Sequence, residues 1–133
     1  MKGVNIFSLQ DYSDQSGSLI VAEFEKDFNF SVKRVFYITS KSGKIRGRHA
    51  HKEHAQFMIC LNGACTLAFD NGEEKQTILL DSNDRGVEVR PGVWGQQTYM
   101  EDNSILLVLS DHIYDEDDYL RNYDEFIEFV SNT

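Results

Sequence analysis

Residues 56–80 read QFMICLNGACTLAFDNGEEKQTILL, and this stretch decides the fold class. Gln56–Leu61, Cys65–Asp70 and Gln76–Leu80 are runs of apolar, β-branched and aromatic residues, parted at Asn62-Gly63 and Asn71-Gly72. Both central residues of a type I′ turn need positive φ, which Asn and Gly tolerate, so the runs are expected to be strands joined by tight hairpins. Working outward, Ile20–Glu25, Val32–Thr39, Gly86–Val89 and Ile105–Ser110 have the same character. Many short strands at this spacing specify an all-β sandwich or barrel. Only the end reads as helix: from Asp115, the apolar positions Tyr119, Leu120, Tyr123, Phe126, Ile127 and Val130 recur at helical steps. Asp115, Glu116, Asp117 and Asp118 are then expected in its first turn, where carboxylates meet the positive end of the helix dipole.

A chain of 133 residues, 41% hydrophobic and 12% aromatic, is expected to fold as one domain over 1–133. With 13 basic and 22 acidic residues its formal charge is −9, which argues against a nucleic acid polymer as partner. No apolar run approaches the roughly 18 residues of a membrane span, and the start resembles no signal peptide, so a cytoplasmic protein without a membrane partner is expected. Cys60 and Cys65 flank a turn that can set them opposite each other on a hairpin. A reducing compartment favours the buried, reduced form.

The charge is unevenly spread. Between Phe28 and Lys52 there is no acidic residue, while Lys33, Arg34, Lys41, Lys44, Arg46, Arg48 and Lys52 are basic. The rest of the chain, with six basic and 22 acidic residues, stands at −16. Such a segment fits one small anionic ligand held locally. It equally fits a solvated pair of strands whose lysines discourage edge association.

Within that segment, Gly43-Lys44-Ile45-Arg46-Gly47-Arg48-His49-Ala50-His51 concentrates the chemistry. His49 and His51 are two apart, so on a strand both imidazoles leave the same face and can bind a metal or move protons. His54 and His112 lack such a context and read as surface residues. The spacing G-x5-H-x-H-x4-Q-x6-G, through Gln56 to Gly63, resembles the first motif of the cupin superfamily, which implies a small double-stranded β-helix barrel, or jelly roll, here with a short C-terminal helix. Metal-binding cupins typically have Glu where this chain has Gln56. Their second motif supplies a further His after a Pro-x-Gly turn, whereas Arg90-Pro91-Gly92-Val93-Trp94-Gly95-Gln96-Gln97 has none. Neutral amides are poor ligands for a divalent transition metal, so no metal is expected and the imidazoles are read as acid–base groups.

The resemblance narrows over a longer stretch. Lys33-Arg34-Val35-Phe36-Tyr37-Ile38, the block Arg46–Lys52 with Gln56, and the tail Tyr114–Phe126 are similar to the nucleotide-sugar 3,4-ketoisomerases. That similarity implies a cofactor-free homodimer with exchanged strands, acting on dTDP-4-keto-6-deoxyglucose and moving its carbonyl from C4 to C3. It also implies His51 as proton shuttle, His49 as its partner and Tyr37 as a phenolic acid, with an inward-facing Val35 placing the phenol inward too. Gln56 and Trp94 are expected to line the cavity, Trp94 alternatively capping the core. Arg46 is the candidate for the diphosphate, but simple strand parity sets it on the face opposite the histidines, where an ion pair or a dimer contact is the other reading. Two positions depart from the relatives' pattern: Ser16 stands where Arg is common, and Gly95 where Arg or His is common. The competing functions are a 3,5-epimerase of the same sugar, a nucleotide-sugar-binding cupin without activity, and a metal-dependent cupin.

Overall fold

The computed structural model describes residues 1–132. In chain order the strands are β1 (Val4–Ser8), β2 (Gln10–Asp11), β3 (Ile20–Val21), β4 (Arg34–Ser40), β5 (Ile45–His51) and β6 (Gln56–Asn62). They continue with β7 (Cys65–Asp70), β8 (Lys75–Leu80), β9 (Arg85–Val89), β10 (Trp94–Tyr99), β11 (Ser104–Ser110) and β12 (Tyr119–Leu120), and helix α1 (Tyr123–Ser131) closes the chain. Two antiparallel five-stranded sheets face each other, ordered β1-β9-β6-β11-β4 and β12-β5-β10-β7-β8. This is the jelly-roll architecture implied by the cupin resemblance.

Alternation within the strands builds the core. Met58, Cys60, Leu67, Phe69, Ile78, Leu80, Val87, Leu106 and Val108 point between the sheets and are buried. On the outer face of the first sheet, Phe57 and Ile59 are covered by Leu9, Phe28 and Phe30 from the N-terminal arm. Helix α1 covers the outer face of the second sheet, burying Phe126 against Ala50 and Leu120. Gly86 lies under Phe57 so closely that a Cβ there would stand 2.1 Å from the ring.

The strands of residues 56–80 lie within a residue of the expected bounds, and Cys60 and Cys65 are free, buried and 3.7 Å apart at sulfur. Two expectations are corrected. The strand expected over Ile20–Glu25 shrinks to Ile20–Val21, because the chain then turns at Asp27, whose carboxylate accepts from the Glu23 amide at 2.9 Å. The helix begins at Tyr123 with Asn122 as its N-cap, not at Asp115. Asp115 instead caps a 3₁₀ turn over Glu116–Asp118, and Tyr119–Leu120 pair with β5 as a short strand. The helical spacing there is real, but the backbone of Tyr119 and Leu120 pairs instead with the β5 edge at His51 and Ala50.

Candidate active site

One irregularity in β5 organises the site. Across the β5–β10 ladder Gln97 faces Arg46 and Gln96 faces Gly47, but Gly95 faces His49, so Arg48 has no partner. Gly47 and Arg48 both have positive φ, +89° and +60°. This is a β-bulge, and the extra residue resets the alternation of side chains. Arg46, opposite Gln97, and His49, opposite Gly95, therefore share the inner face. The sequence parity that separated Arg46 from the histidines is corrected by this single residue. Glycine is needed at 47 both for its φ and because a Cβ would lie 3.1 Å from the Gly95 carbonyl oxygen.

The resulting cavity, about 480 Å³, opens between the sheets and is lined by Arg34, Arg46, His49, Gln56, Tyr119 and Arg121, among others. At its floor His49 and Gln56 also line a small inner recess with His51, His54, Gly95 and Gln97. Three arginines thus ring the outer part. Arg121 is held by Glu116 through two bonds of 2.8 and 2.9 Å, and Arg34 lies 4.6 Å from the centroid of Phe36. Arg46 has no carboxylate at ion-pair distance among the described residues.

His51 is buried, and its Nδ1 is 2.8 Å from Oδ2 of buried Asp118. The carboxylate can only accept, so Nδ1 carries the proton and Nε2 the lone pair. That Nε2 is buried and has no protein partner. The other carboxylate oxygen of Asp118 accepts the Glu53 amide at 2.7 Å, which fixes the acid's orientation. Burial lowers the pKa of His51, with the Asp118 hydrogen bond and charge acting against it. His49 is pushed down to about 4 by burial and then by its neighbour His51. Both imidazoles are therefore neutral near neutral pH, and His51 is a base with an oriented lone pair and a carboxylate behind it to stabilise the imidazolium it becomes.

His54 is buried as well, contrary to the surface position expected, with Nδ1 3.3 Å from the same Asp118 oxygen and its ring stacked between His51 and His112. His112 is partly exposed and bonded to Asp111. Asp118, read as a helix-dipole residue, is the group that orients His51, and only the long-range β12–β5 pairing brings it there.

Two further placements are corrected. Tyr37 is 69% exposed and Val35 58% exposed, since β4 turns Arg34, Phe36 and Ile38 inward and the alternate residues out. Trp94 does not line the cavity but takes its alternative role: it leaves the outer face of β10 and caps the apolar cluster beneath α1, on Tyr123 and Phe126. Gln56, as expected, lines the cavity and is buried. Gly95 lies in the recess, where a Cβ would meet the Phe69 ring at 3.1 Å, while Ser16 sits in the exposed turn before β3.

The FdtA family model, described as WxcM-like, C-terminal, matches residues 2–131. The chain belongs to this family. A TDP-4-oxo-6-deoxy-alpha-D-glucose-3,4-oxoisomerase of Aneurinibacillus thermoaerophilus is 39% identical over 127 residues, 95% of this chain and 91% of its own. A sugar 3,4-ketoisomerase of Thermoanaerobacterium thermosaccharolyticum, solved in complex with TDP, matches with a TM-score of 0.94 at 34% identity, covering 99% of this chain and 97% of its own. A 3'-monoepimerase of Streptomyces bikiniensis, 18% identical with a TM-score of 0.81 over 88% of this chain and 68% of its own, shares the fold. Family membership and cavity agree: one of these 3,4-isomerases is named for a TDP-linked sugar, the other is a sugar 3,4-ketoisomerase solved with TDP, and the cavity here is ringed by cations.

Proposed function

We propose that this chain is a metal-independent 3,4-ketoisomerase of TDP-4-keto-6-deoxyglucose, producing the 3-keto-6-deoxyhexose for transamination to a 3-amino sugar. The observation that carries the reading is the buried, unpartnered Nε2 of His51, backed by Asp118, in the small recess that shares His49 and Gln56 with the arginine-ringed cavity. Carbonyl migration between adjacent carbons needs one base that removes the C3 proton and returns it at C4. His51 suits that role, because a neutral imidazole takes a proton readily and the carboxylate stabilises the cation. His49, 5.1 Å from His51 between ring centroids, binds the sugar oxygens as its neutral partner. Arg46, with Arg34 and Arg121 beside it, holds the diphosphate, for which guanidinium offers paired donors. Gln56 orients the sugar ring.

The test is proton NMR of TDP-4-keto-6-deoxyglucose incubated with the protein in heavy water. The reading requires the carbonyl at C3; deuterium at C5 without carbonyl migration would identify an epimerase and sink it.

The protein acts as a homodimer. Val35 and Tyr37 are exposed on the outer face of the edge strand β4, beside half-buried Leu107 and Leu109, and such a contiguous apolar face marks an interface. Exchange of edge strands, implied by the resemblance, involves the free edges β1 and β4. Light scattering should give twice the 15.3 kDa chain mass, and a monomer would refute the assembly. The proposed location is the cytoplasm, a reducing compartment in which the buried pair Cys60 and Cys65 would stay as thiols. Among the described residues no helix is long and apolar enough to cross a membrane.

A further inference from the structure

Moving a carbonyl from C4 to C3, the reaction proposed above and the reading this inference rests on, transfers two protons. One passes between carbons, the task of His51. The other passes between oxygens: the C4 carbonyl oxygen must gain a proton as the C3–H bond breaks, and the C3 hydroxyl must then lose one. Tyr37 cannot supply that group within its own chain, because its ring faces outward.

We propose that Tyr119 is the acid–base group for the sugar oxygens. Its strand β12 pairs it directly opposite His51, and its ring centroid lies 4.6 Å from that of His51 and 5.1 Å from that of His49. It lines the arginine-ringed cavity together with His49, which also borders the recess of His51. Among the described residues none hydrogen-bonds the Tyr119 hydroxyl, whereas the neighbouring phenol is engaged: Tyr114 donates to Glu116. The groups that face Tyr119 are His49 and His51 from β5, Tyr114 beside the 3₁₀ turn, and Arg121, whose guanidinium lies 4.2 Å from its ring centroid. Glu116 fixes that guanidinium with two hydrogen bonds. A cation over the ring stabilises negative charge developing on the phenol oxygen. His49 is the competing donor, but a neutral imidazole N–H is a weaker acid than a phenol.

The steps balance. The C3–H proton goes to Nε2 of His51, its electron pair forms the C3–C4 double bond, and the carbonyl π pair takes the Tyr119 proton, giving the enediol. The C3 hydroxyl then returns a proton to the Tyr119 oxygen, C3 becomes the carbonyl, and C4 takes its proton from His51. Both residues end as they began. The two oxygens of the enediol are neighbours, so one phenol oxygen can serve both.

The experiment compares Tyr119→Phe with the wild type by NMR turnover, TDP titration and thermal melting. Tyr119→Phe is expected to lower kcat by about 100-fold with TDP affinity and melting temperature preserved. A second variant guards against misfolding: 3-fluorotyrosine at position 119 keeps the hydroxyl and the shape but makes the phenol more acidic, and should shift the alkaline limb of the kcat profile to lower pH. A Tyr119→Phe protein that keeps more than about a third of wild-type kcat, or a fluorotyrosine variant with an unmoved alkaline limb, overturns the assignment and leaves the isomerase reading standing. A wild type that does not migrate the carbonyl overturns both.

Discussion

Replacing Asp118 by Asn tests the dyad with almost no change of shape. The carboxylate now accepts from the Glu53 amide at 2.7 Å through one oxygen and from His51 Nδ1 at 2.8 Å through the other. An introduced amide keeps the first bond with its carbonyl, which turns its NH₂ toward His51. A donor facing Nδ1 forces the lone pair onto that nitrogen and the proton onto Nε2, the tautomer that cannot act as base. In addition, the imidazolium formed during proton abstraction loses a charge-assisted hydrogen bond, about 1.5–3 kcal/mol. At about 1.4 kcal/mol per factor of ten, that loss alone slows the step by roughly 10- to 150-fold. With the tautomer reversed, a fall in kcat of at least about 100-fold is expected, while TDP affinity holds because none of the three arginines is touched. The assay is initial-rate NMR of product formation, paired with calorimetric titration of TDP. A variant within threefold of wild-type kcat would refute the role assigned to the dyad, and one that fails to bind TDP would show that Asp118 shapes the cavity instead.

Acid should destabilise the fold through the buried imidazoles. His49 is held down to about 4 and His51 is also lowered, so both are neutral when folded and gain protons near 6.5 when unfolded. Their contribution is full above about pH 6.5 and is lost as the pH falls toward about 4. Urea unfolding at pH 5 should show His49 alone costing about 2 kcal/mol relative to pH 7, and an equally steep pH dependence in His49→Gln would contradict this. Gly47→Ala should cost about 1–2 kcal/mol from its positive φ, with a lowered melting temperature, and should weaken TDP binding by turning Arg46 away. Unchanged TDP affinity in that variant would dissociate the bulge from the site. Arg46→Gln should weaken TDP binding by roughly 10- to 100-fold and flatten its salt dependence, as calorimetry at two ionic strengths would show; unaltered affinity would assign the diphosphate elsewhere.

What could be read from the chain divides by the range of the interaction involved. The hairpins at Asn62-Gly63 and Asn71-Gly72 announce themselves, because a turn of two residues depends on those two residues. The shared face of His49 and His51 is likewise local. The position of Arg46 depended on a bulge, which exists only relative to a partner strand, although a glycine inside a strand pattern at 47 was a usable signal for it. Asp118 and His54 were misplaced because their meeting depends on β12 adding to the edge of β5, and the acidic run before it has the composition of a helix start. Tyr37 and Val35 followed correct parity from a wrong assumption about which face points inward, and nothing within a strand of mixed apolar residues distinguishes a core face from an interface. Trp94 turns outward because α1 offers its large ring a cover, and although the helix itself is legible in its apolar spacing, the sheet face on which it docks is not.

The adjoining imidazoles have a practical consequence for observing the molecule. The chain has four histidines, and they form one row: His49 lies 5.1 Å from His51, His51 5.4 Å from His54, and His54 4.5 Å from His112. The row runs from the cavity lining to a side chain that is 43% exposed. An imidazole nitrogen spectrum of this protein therefore reports only this row, from the cavity lining to the surface. Ligand occupancy, tautomer and protonation can be followed at successive depths in one experiment, with no remote histidine to subtract.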